Sequence, residues 1–375
     1  MDPNIANDDV KAIAIHLPQY HPVPENDAWW GKGFTEWTNV TRARPLFPRH
    51  PQPHLPADLG FYDMRLPETR DAQAALAREY GISAFCYYHY WFGGKRILER
   101  PVNDIVASGK PDFPFCLCWA NENWTRTWDG QDTSVLLAQN YGPEDDAAHF
   151  AALLPVFSDS RYLRVDGKIA FFVYRPDQLP DARSTTDNWR DLARKAGLGE
   201  IFLGAFMTSP FDMEAGGFDV AVEFAPNKYT APSSTGIRRL LTRIWCRMFA
   251  RIRGARQAAI HLYDDLASSM ASSSPPTGVA PDRWLRCVTP GWDNSARKKI
   301  RPLIFIGATP ERYGRWLREM VSWTRKNAPA GRRFVFINAW NEWAEGNHLE
   351  PDQRTGHANL KATAQAIADG NREDI

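Results

Sequence analysis

Short apolar runs alternate along this chain with longer segments in which apolar residues recur at helical spacing. Eight of the runs are rich in β-branched and aromatic residues and too short for helices: Ala12 to Leu17, Ile82 to Tyr88, Phe115 to Trp119, Ile169 to Tyr174, Ile201 to Phe206, Val220 to Phe224, Leu285 to Thr289 and Phe334 to Asn338. Runs of this kind pack on a pleated surface covered on both faces, so they read as strands of a buried sheet. Between them lie helix-like segments at Glu68 to Tyr80, Ile97 to Ala107, Glu144 to Phe157, Thr186 to Ala196, Pro310 to Asn327 and Asn359 to Asp369. Two begin on helix-start signals: Pro67 precedes the first, and Thr309-Pro310 supplies a cap and a proline for the first turn. Strands alternating with helices form βα units and a parallel sheet. Eight of them predict an α/β fold, a (β/α)8 TIM barrel with long βα loops. An open doubly wound sheet is the alternative, but its G-x-G-x-x-G loop is absent, and so is a Walker A loop.

A bare barrel needs roughly 250 residues, and the chain has 375. The surplus predicts a single barrel domain over 1–375 whose extra residues lie in loops after the strands. The longest intervals are 18–66, 120–142 and 225–283, the last read as a loop and helical insertion. They hold 6 of the 15 tryptophans and 4 of the 9 histidines. Ser268 to Pro276, a run of small residues and proline, reads as a loop tip and not a domain linker.

Because barrel sites are built from these loops, polar and aromatic residues just past the strand ends form the candidate site. They are His16, Gln19, Tyr20 and His21 after the first strand, Tyr88, His89, Tyr90 and Trp91 after the second, and Trp119, Asn121, Glu122, Asn123 and Trp124 after the third. Glu223 follows at the sixth, Trp292, Asp293 and Asn294 at the seventh, and Asn338, Trp340, Asn341, Glu342, Trp343 and Glu345 at the eighth. The chain has 15 tryptophans, and Trp128 adds another to those after the third strand. An indole offers a large rigid apolar face and one donor, which suits a core and equally a surface on which a sugar ring stacks.

The acid pair sharpens the second reading. Residues three apart on a helical turn share a face with Cβ atoms roughly 5–6 Å apart, near the roughly 5–5.5 Å between carboxyls in retaining glycosidases. Two solvated glutamates would show the same spacing. If tryptophans and Glu342 desolvate and repel Glu345, its pKa rises and Glu342 is the ionised partner; spacing alone leaves the assignment open. A metal held by His16, His89 and a carboxylate is the competing use of those histidines. No H-x-H or H-E-x-x-H pattern accompanies them, and neither metal nor cofactor is expected.

Lys plus Arg is 45 against Asp plus Glu 44, so bulk charge favours neither nucleic acid nor membrane, and any such contact must be local. Five cysteines without CxxC or Cys/His spacing argue against disulfides and zinc; Cys86, Cys116 and Cys118 fall in apolar runs and read as core. Met1 to Val10 is polar and acidic, without a signal pattern, and no apolar stretch approaches a membrane span, so a cytoplasmic location is expected. One local feature stands apart. Ile237 to Arg256 holds seven arginines and no acids, with Arg239, Arg243, Arg247 and Arg251 at four-residue spacing opposite Leu240, Leu241, Ile244, Trp245, Met248, Phe249 and Ile252. It reads as a basic amphipathic helix making peripheral contact with an anionic membrane or a phosphate-bearing substrate, or as a helix packed on the barrel with its basic face in water.

The segments LPQYHP (17–22), WWGKGFTEWTNV (29–40), CYYHYWF (86–92), WANENWTRTWDG (119–130), GWDN (291–294), NAWNEWAEG (338–346) and LEPD (349–352) together resemble the WbsX-type proteins of bacterial surface-polysaccharide biosynthesis, relatives of glycoside hydrolase family 99. The resemblance runs from about residue 11 to 370. It implies a (β/α)8 barrel and a metal-independent retaining mechanism on α-manno-type sugars of an oligosaccharide or polysaccharide, in O-antigen or capsule synthesis. Carried over by position, Glu342 is the general base and Glu345 the general acid, and the sugar's own 2-hydroxyl is the nucleophile. WbsX-type proteins are often called glycosyltransferases, yet D-x-D and a Rossmann glycine loop are missing here. A nucleotide-sugar-dependent transferase and a non-catalytic glycan-binding protein are the alternatives.

Overall fold

The computed structural model describes residues 9–126, 131–226, 237–255 and 257–373, and the side chains of Arg126, 131–134 and 237–240 lie outside that description. Eight parallel strands close on themselves: β1 Lys11–His16, β2 Ile82–Phe92, β3 Phe115–Trp119, β4 Lys168–Val173, β5 Ile201–Phe206, β6 Val220–Val222, β7 Trp284–Val288 and β8 Phe334–Ile337. Each pairs with its neighbours in chain order, and β1 joins both β2 (Ala14 beside Phe85) and β8 (Ile13 beside Phe336), so the sheet has no edge. This is a (β/α)8 TIM barrel.

The ten α-helices among the described residues are α1 Pro24–Trp30, α2 Glu36–Arg42, α3 Pro67–Glu79, α4 Arg100–Ser108, α5 Pro143–Phe157, α6 Ala182–Lys195, α7 Ile237–Ile252, α8 Tyr263–Ala271, α9 Pro310–Asn327 and α10 Ala358–Arg372. None is long and apolar enough to cross a membrane. The Thr309 hydroxyl oxygen accepts from the Arg312 amide and starts α9 where the Thr-Pro pair predicts. The second strand departs from its expected end: it runs on to Phe92 and folds back as a hairpin, Tyr90 beside Ile97, so α4 begins at Arg100 and not at Ile97.

Aromatic rings fill the barrel. Phe336 of β8 meets Phe172 and Phe206 edge to face, with centroids 5.1 and 5.4 Å away. Gly204 makes this possible, since a Cβ there would stand 2.3 Å from the Phe172 ring. Gly204→Val is therefore expected to destabilise the fold by about 1–3 kcal/mol through overpacking. An unchanged denaturant midpoint would show that the interior has room to spare.

Three insertions roof the C-terminal mouth. Residues 18–66 contribute α1 and α2, and Trp124–Arg126 pairs with Gln131–Leu137 in a hairpin. After β6 come α7, a strand at Ala259–Leu262 and α8. That strand pairs with Leu303–Ile306, which pairs with Trp292–Asp293, so the loop after β7 is itself built into a three-stranded sheet. Cys246 and Ala250 of α7 pack with Phe47, Ile260 and Ile304 in a small second core under that sheet.

Candidate active site

The mouth holds a cavity of about 480 Å³, within the usual range for a small-molecule or glycan site. Glu342 and Glu345 stand on one wall, and Trp29, Trp30, Tyr88, Tyr90, Trp124, Tyr174, Phe224 and Trp292 supply aromatic faces. Trp124 meets Trp29 and Tyr90 edge-on, with centroids at 5.8 and 5.2 Å.

The carboxylates are positioned by a buried polar scaffold. Asn341 clamps the end of β1: its Oδ1 accepts from the Leu17 amide at 2.7 Å and its Nδ2 donates to the Leu17 carbonyl at 3.0 Å. The same Nδ2 donates to the Tyr62 hydroxyl, which donates to Glu350 Oε2 at 2.8 Å. Trp343 Nε1 donates to that oxygen at 2.7 Å, and Gln73 Nε2 donates to the other at 2.7 Å. The Tyr20 hydroxyl donates to the Asn341 carbonyl at 2.5 Å and accepts from the Trp343 amide at 3.2 Å. Burial pushes Glu350 up to about 7, against the donors from Trp343, Gln73 and Tyr62. Asn341 and Trp343 are thus bolted to the end of β1 and, through Glu350, to α3, while Glu342 between them and Glu345 beyond reach the cavity.

One guanidinium organises the pair. Arg297 Nη1 donates to Glu345 Oε1 at 2.9 Å and lies 3.8 Å from Glu342 Oε2, while its Nη2 donates to Glu36 Oε1 at 3.1 Å. Glu36 sits in the first turn of α2, where a carboxylate suits the helix dipole. Asp293 holds the turn that carries Arg297: Oδ1 accepts from the Ser295 amide, and Oδ2 accepts from Gln52 Nε2 at 2.7 Å with His50 Nε2 also at 2.7 Å. Burial raises the pKa of Asp293, but His50, Ser295 and Gln52 more than offset that and bring it below the ordinary value. Gly346, at φ 57°, lets the turn after Glu345 rest on Asp293, where a Cβ would stand only 3.0 Å from its side chain.

Three carboxyls around one buried cation disfavour one another's ionisation. Burial, then Glu345 and Glu36, push Glu342 well above its ordinary value despite Arg297. Glu342 Oε2 is buried without a hydrogen-bond partner among the described residues. Burial therefore favours the protonated form at Glu342, where the tryptophans read from sequence point to Glu345. Glu342 is buried and Glu345 half-buried, and this depth in the fold, which spacing does not report, separates them.

A family model described as Glycosyltransferase WbsX matches residues 12–363. The chain belongs to that family. It is 45% identical over 359 residues to a protein described as uncharacterized protein WxcX in Xanthomonas campestris pv. campestris, strains B100 and ATCC 33913. The match covers 95% of this chain and 49% of the relative, so the chain spans about half the length of the curated relatives it matches. Among solved structures it is similar to the GH99 endo-α-mannosidase of Bacteroides thetaiotaomicron, with TM-score 0.53, 13% identity, and 97% and 98% of the two chains covered. A glycoside hydrolase-like protein gives TM-score 0.54 at 13% identity, covering 96% and 94%. These likenesses show the fold.

Within this WbsX-family barrel the residues singled out by sequence separate into two groups. Tyr88, Glu122, Trp124, Trp292, Asn338, Glu342 and Glu345 line the cavity. Tyr20, Asn341, Trp343 and Asp293 lie behind it and carry the scaffold above. His16 is fully buried, its Nε2 3.3 Å from Gln73 Oε1, and burial drives its pKa down to about 3, so it stays neutral. Trp340 packs on Phe85 and Trp119 on Trp189. His89 and Trp91 point out under α5, where both stack on His149 and Trp91 Nε1 donates to Asp145. The pleat explains this outcome: alternate side chains of β2 face opposite ways, so Tyr88 and Tyr90 face the cavity and His89 and Trp91 the helix layer. Asn121 pins the Arg175 backbone through two 2.8 Å bonds, presenting Arg175 to Glu122 at 2.6 Å. Glu223 is held by buried Arg286 at 2.9 Å, outside the cavity. Trp128 lies outside the described residues.

Cavity residues that sequence reasoning passed over include Trp29, Trp30, Tyr174, Arg175, Phe224, Arg297, Lys298 and Arg301, together with Glu36 behind Arg297. Trp29, Trp30 and Glu36 sit inside the motif at 29–40, the available signal. His16 and His89 do not converge. Among the described residues, the ligand atoms that do cluster belong to His54, His348 and Asp352, all within 4.8 Å of one another. His54 Nδ1 lies 2.9 Å from His348 Nε2, and His348 Nδ1 is 3.0 Å from the Glu350 carbonyl, so neutral tautomers account for these contacts as hydrogen bonds.

Proposed function

We propose that this chain is a retaining carbohydrate-active enzyme, with Glu342 and Glu345 as its acid–base pair, that cleaves or transfers α-manno-type glycosyl units in the synthesis of a bacterial surface polysaccharide such as O-antigen or capsule. The observation that carries the reading is the single Arg297 nitrogen at 2.9 and 3.8 Å from the two carboxyls in an aromatic cavity. The two oxygens it faces can be no farther apart than those distances combined. That ceiling on one pair of oxygens is compatible with the roughly 5–5.5 Å between carboxyls in retaining enzymes. Tyr88, Trp124, Trp292 and the newly placed Trp29 and Trp30 would stack sugar rings, with Glu122 and Asn338 taking hydroxyls.

The chemistry follows from where the proton sits. A sugar 2-hydroxyl donating to Glu342 favours its carboxylate, and the site's proton then passes to Glu345. Glu342 takes the 2-hydroxyl proton as O2 attacks the anomeric carbon, the bond to the leaving oxygen breaks, and Glu345 protonates that oxygen. In the second half Glu345 removes a proton from water or an acceptor hydroxyl, which opens the 1,2-anhydro sugar while Glu342 returns the proton to O2. Retention follows from two displacements. The test is an oligosaccharide screen with α-manno and α-rhamno donors, with and without acceptors, read by mass; a responsive substrate turned over equally well by Glu342→Gln and Glu345→Gln would end this reading in favour of another site.

Membrane contact belongs to the same proposal, with its surface redrawn. Arg243 turns inward and donates to the Ile260 carbonyl at 3.0 Å, and the Arg239 side chain lies outside the described residues. What α7 exposes is a stripe of Leu241, Ile244, Trp245, Met248 and Ile252, 43–72% exposed, beside Arg247 and Arg251. An apolar stripe flanked by arginines suits the interface of an anionic bilayer. Pelleting with anionic liposomes is expected, reduced by Trp245→Ser with Met248→Ser and by Arg247→Gln with Arg251→Gln; no pelleting of the unaltered protein removes the idea.

A further inference from the structure

The cations of the cavity are unequally partnered. Glu342 and Glu345 face Arg297, which Glu36 also holds; Glu122 faces Arg175, which Asp177 grips through Nε and Nη2 at 2.9 and 2.8 Å. Each of those cations already has carboxyl partners. Lys298 and Arg301 line the same cavity and have no carboxylate partner among the described residues. Arg301 Nε donates to the neutral Gln257 Oε1 at 2.7 Å, which orients the guanidinium without neutralising it. Arg301 also holds φ 53°, a left-handed conformation uncommon for a side chain of its size. Lys298 is half-buried, so its ammonium is less screened than that of a surface lysine. Both lie in the run Arg297-Lys298-Lys299-Ile300-Arg301, on the loop whose Arg297 faces the acid pair, with Arg301 at the exposed end.

We propose that Lys298 and Arg301 form an anion subsite, and that the glycan this cavity takes carries a phosphate or carboxylate group beside the bond that reacts. The inference rests on the reading of the cavity as a glycan site and adds the substrate's charge. A guanidinium and an ammonium lining one cavity suit an oxyanion: Arg301 offers a planar fork and Lys298 a mobile point charge. A neutral mannan would leave both without a partner.

Binding decides this without turnover. Methyl α-mannoside, α-mannose 1-phosphate and glucuronic acid are titrated into the unaltered protein and into Lys298→Gln with Arg301→Gln, following tryptophan fluorescence. The unaltered protein is expected to bind one or both anionic probes at least about ten-fold more tightly than methyl α-mannoside, about 1.4 kcal/mol. That ratio should fall towards one in the double variant and with added salt. Preference for mannose 1-phosphate alone assigns the subsite to phosphate; preference for glucuronic acid alone assigns it to a carboxylate. A ratio near one in the unaltered protein, absence of binding included, or a ratio that survives the double substitution, overturns the proposal. Failure of the acid–base reading would show separately, as undiminished turnover by the glutamine variants.

Discussion

Glu345→Gln is expected to lower turnover of an unactivated glycoside by about 10²–10⁴ while leaving the fold intact, because proton transfer to a poor leaving group contributes that much. Glutamine keeps an oxygen for Arg297 Nη1, which donates to Glu345 Oε1 at 2.9 Å, so the local structure survives. An aryl glycoside, whose leaving group departs without protonation, should lose far less in this variant. Glu342→Gln should lose a comparable factor on both substrates, since the base is needed whatever the leaving group. Kinetics on an alkyl and an aryl α-mannoside separate these roles. Equal losses on both substrates for both variants would indicate a shared structural role, and the opposite pattern would exchange the two assignments.

Arg297→Met is expected to cost about 3–5 kcal/mol of stability, because it leaves buried carboxylates without their cation. The loss depends on pH in a direction the buried groups determine. Glu36 and Glu342 are both raised above an ordinary value of 4.5, burial being the largest cause in each. Above 4.5 the unfolded chain releases protons that these folded carboxyls still hold, so their contribution to stability is fullest below that value. It falls as pH rises through the folded values. Arg297 opposes the raised values, so its removal pushes them higher and makes the decline steeper. Denaturant unfolding should therefore show a small penalty near about pH 5 and a larger one near about pH 8. An identical penalty at both would mean that the four groups are not electrostatically linked.

The barrel was legible because a parallel sheet buried on both faces requires continuous apolar runs, and all eight stand where the runs do. Ends were less legible: β2 continues four residues beyond Tyr88 because Lys95–Ile97 pairs with it, a contact no local pattern announces. The acid pair was legible as a spacing, and Trp124, Trp292 and Tyr88 as strand-end residues. Taking every polar or aromatic residue near a strand end as site-facing ignored the pleat, which sends His89 and Trp91 outward and could have been applied from sequence. Asn341 and Trp343 turn away for another reason, since the turn that exposes Glu342 and Glu345 is anchored by the residues on either side of Glu342. Arg297 was not legible at all. Its role arises from the loop after β7 meeting α2 and the end of β8, three segments far apart in the chain. The arginine helix shows the same limit: periodicity revealed two faces, but the fold decided that the apolar one meets solvent.

The acid–base pair is tested most directly by the anomer first formed when the protein acts on an α-mannoside, followed by proton NMR before mutarotation. The account predicts the α anomer, or an α-linked product when an acceptor sugar is supplied. A β anomer as the first product would mean a single displacement and would contradict it.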